Sequence, residues 1–209
     1  MTKMVLVRHG SSVWNDLNLF TGWTDVPLST KGILQAQETG QKLSSIPFDV
    51  VFTSQLQRAQ QTASIIFNYQ PKTAYFVNQD PKSHAHDLQT MIPIYKSWHL
   101  NERFYGKLQG MNKETAAEIY GKEQVHLWRR SYELCPPEGE SLEQTSQRTW
   151  QYFESTIQPL LQQNKNVLIC AHGNSLRSII MNWEKLTPEE ILTRELATGE
   201  PVIYEITSG

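Results

Sequence analysis

Short apolar runs alternate with amphipathic stretches along most of the chain, and the alternation predicts strands followed by helices. Val5-Leu6-Val7 reads as a buried strand that runs into Arg8-His9-Gly10, with Ser11-Ser12 as the turn that ends it. Residues 15–26, including Phe20-Thr21-Gly22-Trp23, read as a loop. Ser29 is the expected N-cap of a helix with Ile33, Ala36, Gly40 and Leu43 on one face, ended by Pro47. Residues 49–53 form a second strand. Ser54 is then expected to cap a helix carrying Leu56, Ala59, Ala63 and Ile66, with Arg58 in its first turn. Residues 73–77 suit a third strand.

The pattern breaks in the middle. Residues 78–94 are polar and read as an insertion over the surface; residues 98–110 are aromatic and irregular, with Glu102 and Arg103 at their centre. Helical patterns follow at 113–120 and 124–132, and Pro136-Pro137 interrupts the chain. Ser141 with Gln144 is a capping-box signature opening a helix with a stripe of Leu142, Thr145, Thr149, Tyr152, Thr156 and Leu160. Val167-Leu168-Ile169-Cys170-Ala171 is a further buried strand, and it too delivers a His-Gly pair, His172-Gly173, with Asn174 following. A helix at 175–183, a capped one at Thr187-Pro188 and a strand at 202–206 complete the chain. Strands alternating with helices imply an α/β fold: a three-layer sandwich, mainly parallel, with helices on both faces. The expected organisation is one domain over 1–209, with residues 68–137 as a cap insertion above the carboxyl edge of the sheet.

Composition narrows the chemistry. Nineteen Lys+Arg against 21 Asp+Glu give a formal net charge of −2, which argues against bulk electrostatic binding to nucleic acid or to an anionic membrane. Any anion site must be a local cluster of cations. No apolar stretch is long enough to span a bilayer, and the N-terminal run is too short for a secretion signal. Two cysteines, Cys135 and Cys170, make no disulfide framework. The expectation is a soluble, cytoplasmic protein with small-molecule partners.

Two strand-end histidines beside an arginine suggest a phosphate site built around a nucleophilic imidazole, because ligands of open α/β sheets bind at the carboxyl edge. Such a histidine must be neutral, with one ring nitrogen bare and the other proton held by an acceptor. Arg8, Arg58, His172 and Asn15 are the candidate donors to the phosphoryl oxygens. Glu102 is the candidate acid/base for a substrate hydroxyl, since burial or a neighbouring phosphate would favour its protonated form. Pairing with Arg103 is an equally good reading of that carboxylate. Arg103, Lys113, Arg129 and Arg130 add cations in the cap and suggest a substrate with several negative groups. There is no P-loop, no glycine-rich nucleotide fingerprint, no H-E-x-x-H and no zinc-spaced Cys/His set, so metal-free chemistry is expected. His84 and His86 are read as part of a solvated loop rather than as metal ligands.

Leu6-Val7-Arg8-His9-Gly10 resembles the first-strand motif of the histidine phosphatase superfamily. Asn15 with Phe20-Thr21-Gly22-Trp23, Leu100-Asn101-Glu102-Arg103, Trp128-Arg129-Arg130 and the segment from Ala171 to Arg177 are similar to its cofactor-dependent phosphoglycerate mutase branch. The resemblance implies that His9 is phosphorylated, that Glu102 gives and takes the proton, and that His172 stabilises the transition state beside Arg8 and Arg58. It implies that Asn15, Thr21, Gly22, Arg103, Tyr105, Lys113, Arg129, Arg130, Gly173 and Asn174 hold phosphate and carboxylate. The implied reaction interconverts 3-phosphoglycerate and 2-phosphoglycerate, with 2,3-bisphosphoglycerate priming His9 and no metal; a homo-oligomer such as a dimer is the implied assembly.

Three departures qualify the resemblance. Ser11 stands where relatives often have Glu, the chain is short between Pro137 and Ser141, and it stops at Gly209 where many relatives continue into a tail. A more open site, losing phosphate from His9 to water faster, is the expectation. The rival readings are a phosphatase of the same superfamily, a bisphosphoglycerate synthase and an inactive binding module. The cap cations favour the mutase over the phosphatase, and the presence of His9 and Glu102 argues against the inactive module.

Overall fold

The computed structural model describes residues 1–77 and 90–207. The His84–His86 pair and most of the 78–94 segment lie outside the described residues. The strands are β1 (Thr2–Arg8), β2 (Val50–Thr53), β3 (Ala74–Phe76), β4 (Ile92–Lys96), β5 (Val167–Ala171) and β6 (Pro201–Ile206); a single helical turn, α1 (Val13–Asp16), follows β1 and takes in the start of the expected 15–26 loop. They form one six-stranded sheet in the order β3-β4-β2-β5-β1-β6. All neighbours pair parallel except β1 and β6, which are antiparallel.

The central strands are mostly apolar, on successive as well as alternate residues, because both faces are covered. Met4 and Leu6 of β1, Phe52 of β2 and Val167 and Ile169 of β5 pack in one cluster. That cluster includes Leu142 at the start of α6 (Leu142–Tyr152), Ile179 of α8 (Gly173–Glu184) and Ile191 of α9 (Pro188–Thr193). The alternate residues Val5, Val7, Val51, Leu168 and Cys170 pack on the other face with Leu43 of α2 (Thr30–Leu43) and Ile66 of α3 (Gln57–Phe67). Each fully buried side chain of this size contributes about 1.5–3 kcal/mol of transfer free energy. After α6 the backbone widens into a π turn, Phe153–Ile157, before α7 (Gln158–Gln162). Pro159 follows directly and has no N–H to continue the ladder.

The sheet extends further than the sequence pattern indicates. β4 falls at the end of the stretch read as an insertion, so residues 74–76 and 92–96 belong to the sheet and not to a cap. Pro93 hides β4, because proline is expected only where a strand does not need its N–H. The β2–β4 ladder begins at Val51↔Ile94, one residue after Pro93, so no pairing to β2 is lost there. Above the sheet, α4 (Lys113–Tyr120) and α5 (Lys122–Arg130) form a small cap with its own cluster of Phe20, Leu108, Ala116 and Val125.

Two helix expectations change. Ile33 is 41% exposed rather than in the core. The buried face of α2 consists of Gly32, Ala36, Thr39, Gly40 and Leu43, because this helix approaches its neighbours through glycines. α3 starts at Gln57, with Leu56 and not Ser54 at its N-cap. The Ser54 hydroxyl accepts the Leu56 N–H and is otherwise committed to His172.

The glycines have a positional consequence. A Cβ on Gly32 would stand 1.9 Å from the Ser11 carbonyl oxygen, and one on Gly10 would stand 2.2 Å from that of Gly32. The first turn of α2 is thus pressed backbone to backbone against the turn that carries His9. Gly32→Ala is expected to destabilise the fold by about 1–3 kcal/mol, as overpacking does. Lys31→Ala, on the exposed side of the same turn, should stay within about 0.5 kcal/mol. Urea midpoints of the two variants check this, and equal midpoints would refute the close approach.

Candidate active site

Register decides the geometry. In the β1–β5 ladder Arg8 pairs with Ala171, so His9 and His172 leave the sheet side by side, and the His9 N–H donates to the Ala171 carbonyl at 3.0 Å. The two rings meet edge-on with centroids 4.9 Å apart. Both side chains are buried.

The tautomer of His9 is set from both sides. Nδ1 is 2.6 Å from the carbonyl oxygen of Gly10, which can only accept, so Nδ1 carries the proton. Nε2 is 3.3 Å from Nε of Arg58, a permanent donor, so Nε2 presents its lone pair. Burial first, then the charges of Arg58 and Arg8, hold the His9 pKa well below the usual histidine value. The result is a neutral imidazole with a bare Nε2, which is a nucleophile at neutral pH. His172 is likewise held well below its usual value by burial and by Arg58. Its Nε2 pairs with the Ser54 hydroxyl at 2.7 Å, while its buried Nδ1 has no partner among the described residues.

Arg58 reaches this point from the first turn of α3. Its Nη1 donates to the Thr24 carbonyl at 2.9 Å and its Nη2 to the Gly22 carbonyl at 2.7 Å. Burial lowers its pKa to about 10, so it stays charged at neutral pH. Arg8 is anchored by Nη1 to the Leu196 carbonyl at 2.7 Å, and its buried Nε is unpartnered among the described residues. Thr21 also carries a buried hydroxyl without a partner among those residues.

Glu102 stands between two 3₁₀ turns, Trp98–Leu100 and Gly106–Leu108. Its Oε1 accepts from the Arg103 N–H at 2.7 Å, the Asn174 N–H at 3.2 Å and the Asn174 side-chain amide at 2.9 Å. The Asn174 bonds tie the carboxylate to the first turn of α8, where the helix dipole favours negative charge. The reading of Glu102 as the partner of the Arg103 guanidinium is corrected: that group bonds the Trp128 carbonyl and lies 4.9 Å over the Tyr105 ring.

These groups surround a cavity of about 220 Å³, suited to a small metabolite. Arg8, His9, Arg58, Glu102, Gly173 and Asn174 line its sheet side. Asn15, Thr21, Gly22 and Tyr105 line it from the loops, and Lys113, Arg129 and Arg130 from the cap. The Oδ1 of Asn15 is engaged by Ser12 N–H and hydroxyl, both at 3.0 Å, so Asn15 has its NH₂ donor to offer. Burial, then Arg129 and Arg8, lower the Lys113 pKa. Neither Arg103 nor His172 lines the cavity, although the His172 ring packs edge-on against that of His9.

Arg177 and Glu195 line the cavity and were missed as site residues. Arg177 lies four residues after Gly173, on the same helical face, which is a signal that could have found it. Glu195 has no local signal; it bridges Arg130 at 3.2 Å and Arg177 at 3.5 Å. Ser11, the departure from the resemblance, donates its hydroxyl to the Asp16 carboxylate at 2.7 Å.

Residues 4–77 and 83–209 match the histidine phosphatase superfamily (branch 1). The chain is 51% identical over 214 residues to the 2,3-bisphosphoglycerate-dependent phosphoglycerate mutase of Chlamydia muridarum, covering 99% of this chain and 95% of that one. It is 52% identical over 212 residues to the enzyme of the same name from Chlamydia felis, covering 98% and 93%. Among solved structures, Bacillus stearothermophilus YhfR superposes with a TM-score of 0.80 at 24% identity, covering 100% of this chain and 93% of that one. The alpha-ribazole phosphatase from Shigella flexneri does so with 0.78 at 24% identity, covering 99% and 91%. These two likenesses establish the shared fold.

The two buried imidazoles have a consequence for stability. Their folded pKa values lie below the unfolded ones, so below about pH 6.5 the unfolded chain binds protons that the folded chain does not. Their neutral burial therefore costs nothing above that pH and destabilises as pH falls through it. Each should steepen the acid limb by about 1 kcal/mol per pH unit. Urea unfolding between pH 5 and 8 checks this: His172→Asn should flatten the limb, and an unchanged slope would contradict the assignment.

Proposed function

The chain belongs to the histidine phosphatase superfamily, and within it to the family of 2,3-bisphosphoglycerate-dependent phosphoglycerate mutases; we propose that it interconverts 3-phosphoglycerate and 2-phosphoglycerate through a phosphorylated His9. One observation carries the reading. A neutral His9 with its lone pair on Nε2 shares a cavity with a half-buried Glu102, beneath Lys113, Arg129 and Arg130. The names of the two Chlamydia relatives point the same way.

In this reading, Nε2 of His9 attacks phosphorus, the bond to the leaving oxygen breaks, and Glu102 gives that oxygen its proton. In the return direction Glu102 takes the proton of a hydroxyl as it attacks the phosphoryl group on His9. Arg58 now donates to Nε2 and would donate to a phosphoryl oxygen in its place. The unpartnered Arg8 Nε and Thr21 hydroxyl, both on the cavity wall, supply further polar positions for the same group.

2,3-Bisphosphoglycerate, when bound, supplies the phosphoryl group that primes His9. The buried unpartnered polar atoms and the ring of cations suit such a polyanion. Lys113, Arg129, Arg130 and Arg177 would hold its second phosphate and its carboxylate. A cytoplasmic location accords with a phosphoglycerate substrate.

Conversion of 3-phosphoglycerate should require catalytic 2,3-bisphosphoglycerate and persist in a metal chelator. Release of inorganic phosphate with no 2-phosphoglycerate would mean a phosphatase instead. His9→Ala should abolish transfer, and turnover by that variant would end the covalent mechanism. Glu102→Gln should slow turnover by about 10²–10⁴-fold while leaving substrate binding intact.

A further inference from the structure

Arg148, in the middle of α6, lies outside the cavity and is buried. Its guanidinium forks onto Glu140, with Nε 2.9 Å from Oε1 and Nη2 2.9 Å from Oε2. Its remaining donors converge on backbone carbonyls of a single segment. Nη1 reaches His99 at 2.7 Å and Asn101 at 3.2 Å, and Nη2 reaches Glu102 at 2.9 Å. Glu140 grips the other side of the same segment, where Oε2 accepts the Phe104 N–H at 2.9 Å and its own N–H donates to the Phe104 carbonyl at 2.7 Å. Burial raises the Glu140 pKa, but the Arg148 bond and charge with the Phe104 and Thr145 bonds outweigh it, so the carboxyl lies below its usual value.

A buried ion pair is a poor source of stability by itself, because desolvating two charges offsets their attraction. This one instead spends nearly all its bonds on residues 99–104, with Glu102 in the middle. Trp23 adds to the clamp: its indole N–H donates to the Glu102 carbonyl, and Arg148 lies 5.6 Å over its ring. We propose that the Glu140–Arg148 pair is a positioning device that sets where the Glu102 carboxyl stands relative to His9. The inference rests on the acid/base reading of Glu102. Lysine cannot take the place of Arg148, since three donors on a point charge do not reproduce a planar fork that serves a carboxylate and several carbonyls together.

The test uses two phosphoryl donors that differ in their need for a proton. Transfer to His9 from 2,3-bisphosphoglycerate expels an alkoxide that Glu102 must protonate. Transfer from 4-nitrophenyl phosphate expels a phenolate that leaves as the anion. Single-turnover rates of His9 phosphorylation are measured for wild type, Glu102→Gln, Arg148→Lys and Glu140→Gln, with circular dichroism confirming folding. Arg148→Lys should slow transfer from the bisphosphate about ten- to a hundredfold, the scale of a misplacement of about 1 Å, and leave the aryl phosphate within about threefold. Glu102→Gln should show the same selectivity, and Glu140→Gln a weaker version of it. If both Arg148→Lys and Glu140→Gln slow the two donors alike, or leave both unchanged, while Glu102→Gln remains selective, the positioning role is overturned. Should Glu102→Gln itself slow both donors equally, the acid/base reading of Glu102 fails, and the proposal falls with it.

Discussion

Arg8 stands opposite Ala171 in a parallel ladder, and the geometry of the cavity follows from that pairing. Parallel strands end on the same edge, so both histidines emerge together, one residue past their last paired positions. β2 joins from the other side with Thr53 opposite Cys170, which brings Ser54 within reach of His172. A slip of one residue would turn each histidine to the other face of the sheet. Such a slip would also exchange the residues packed on the two core faces, since Val5 and Val7 pack on one and Met4 and Leu6 on the other.

The arginines around the cavity are held largely by backbone carbonyls rather than by carboxylates. Arg8 bonds Leu196, Arg58 bonds Gly22 and Thr24, and Arg177 bonds Arg194 through their carbonyl oxygens. A carbonyl fixes a guanidinium without cancelling its charge. The cavity thus stays cationic in a chain whose net charge is −2. The exception among its lining residues, Glu195, bridges Arg130 and Arg177 at 69% exposure, where ion pairing is weak. The fully forked pair, Glu140–Arg148, lies outside the cavity. Fixed, uncancelled donors at the site are what a transferring phosphoryl group requires.

Much of this was legible in the chain. The two apolar runs ending in His-Gly and the serine cap of α2 carry strong local signals, and so does the capping box of α6. What escaped did so for identifiable reasons. β4 carries a proline that a central strand seldom tolerates. Ile33 sits at core spacing yet faces solvent, because α2 packs through glycines that no apolar pattern registers. Arg103 reads as a cavity cation, but its guanidinium is taken by the cap. Arg148 looks like an ordinary helical arginine, and only its distant partners mark it.

Local sequence by itself determined most of the strands and helices, where several helices are capped, and that a histidine stands at the end of each of two buried strands. Those properties depend on neighbours a few positions away, through periodicity and capping. Tertiary structure alone decided which donor faces the His9 lone pair, which cations face the cavity and what clamps the Glu102 segment. Each depends on one partner many residues distant: Arg58 for His9, Trp128 for Arg103 and Arg148 for Glu102. No spacing along the chain encodes such a contact, because it exists only once the sheet register and the cap have brought the partners within hydrogen-bond distance.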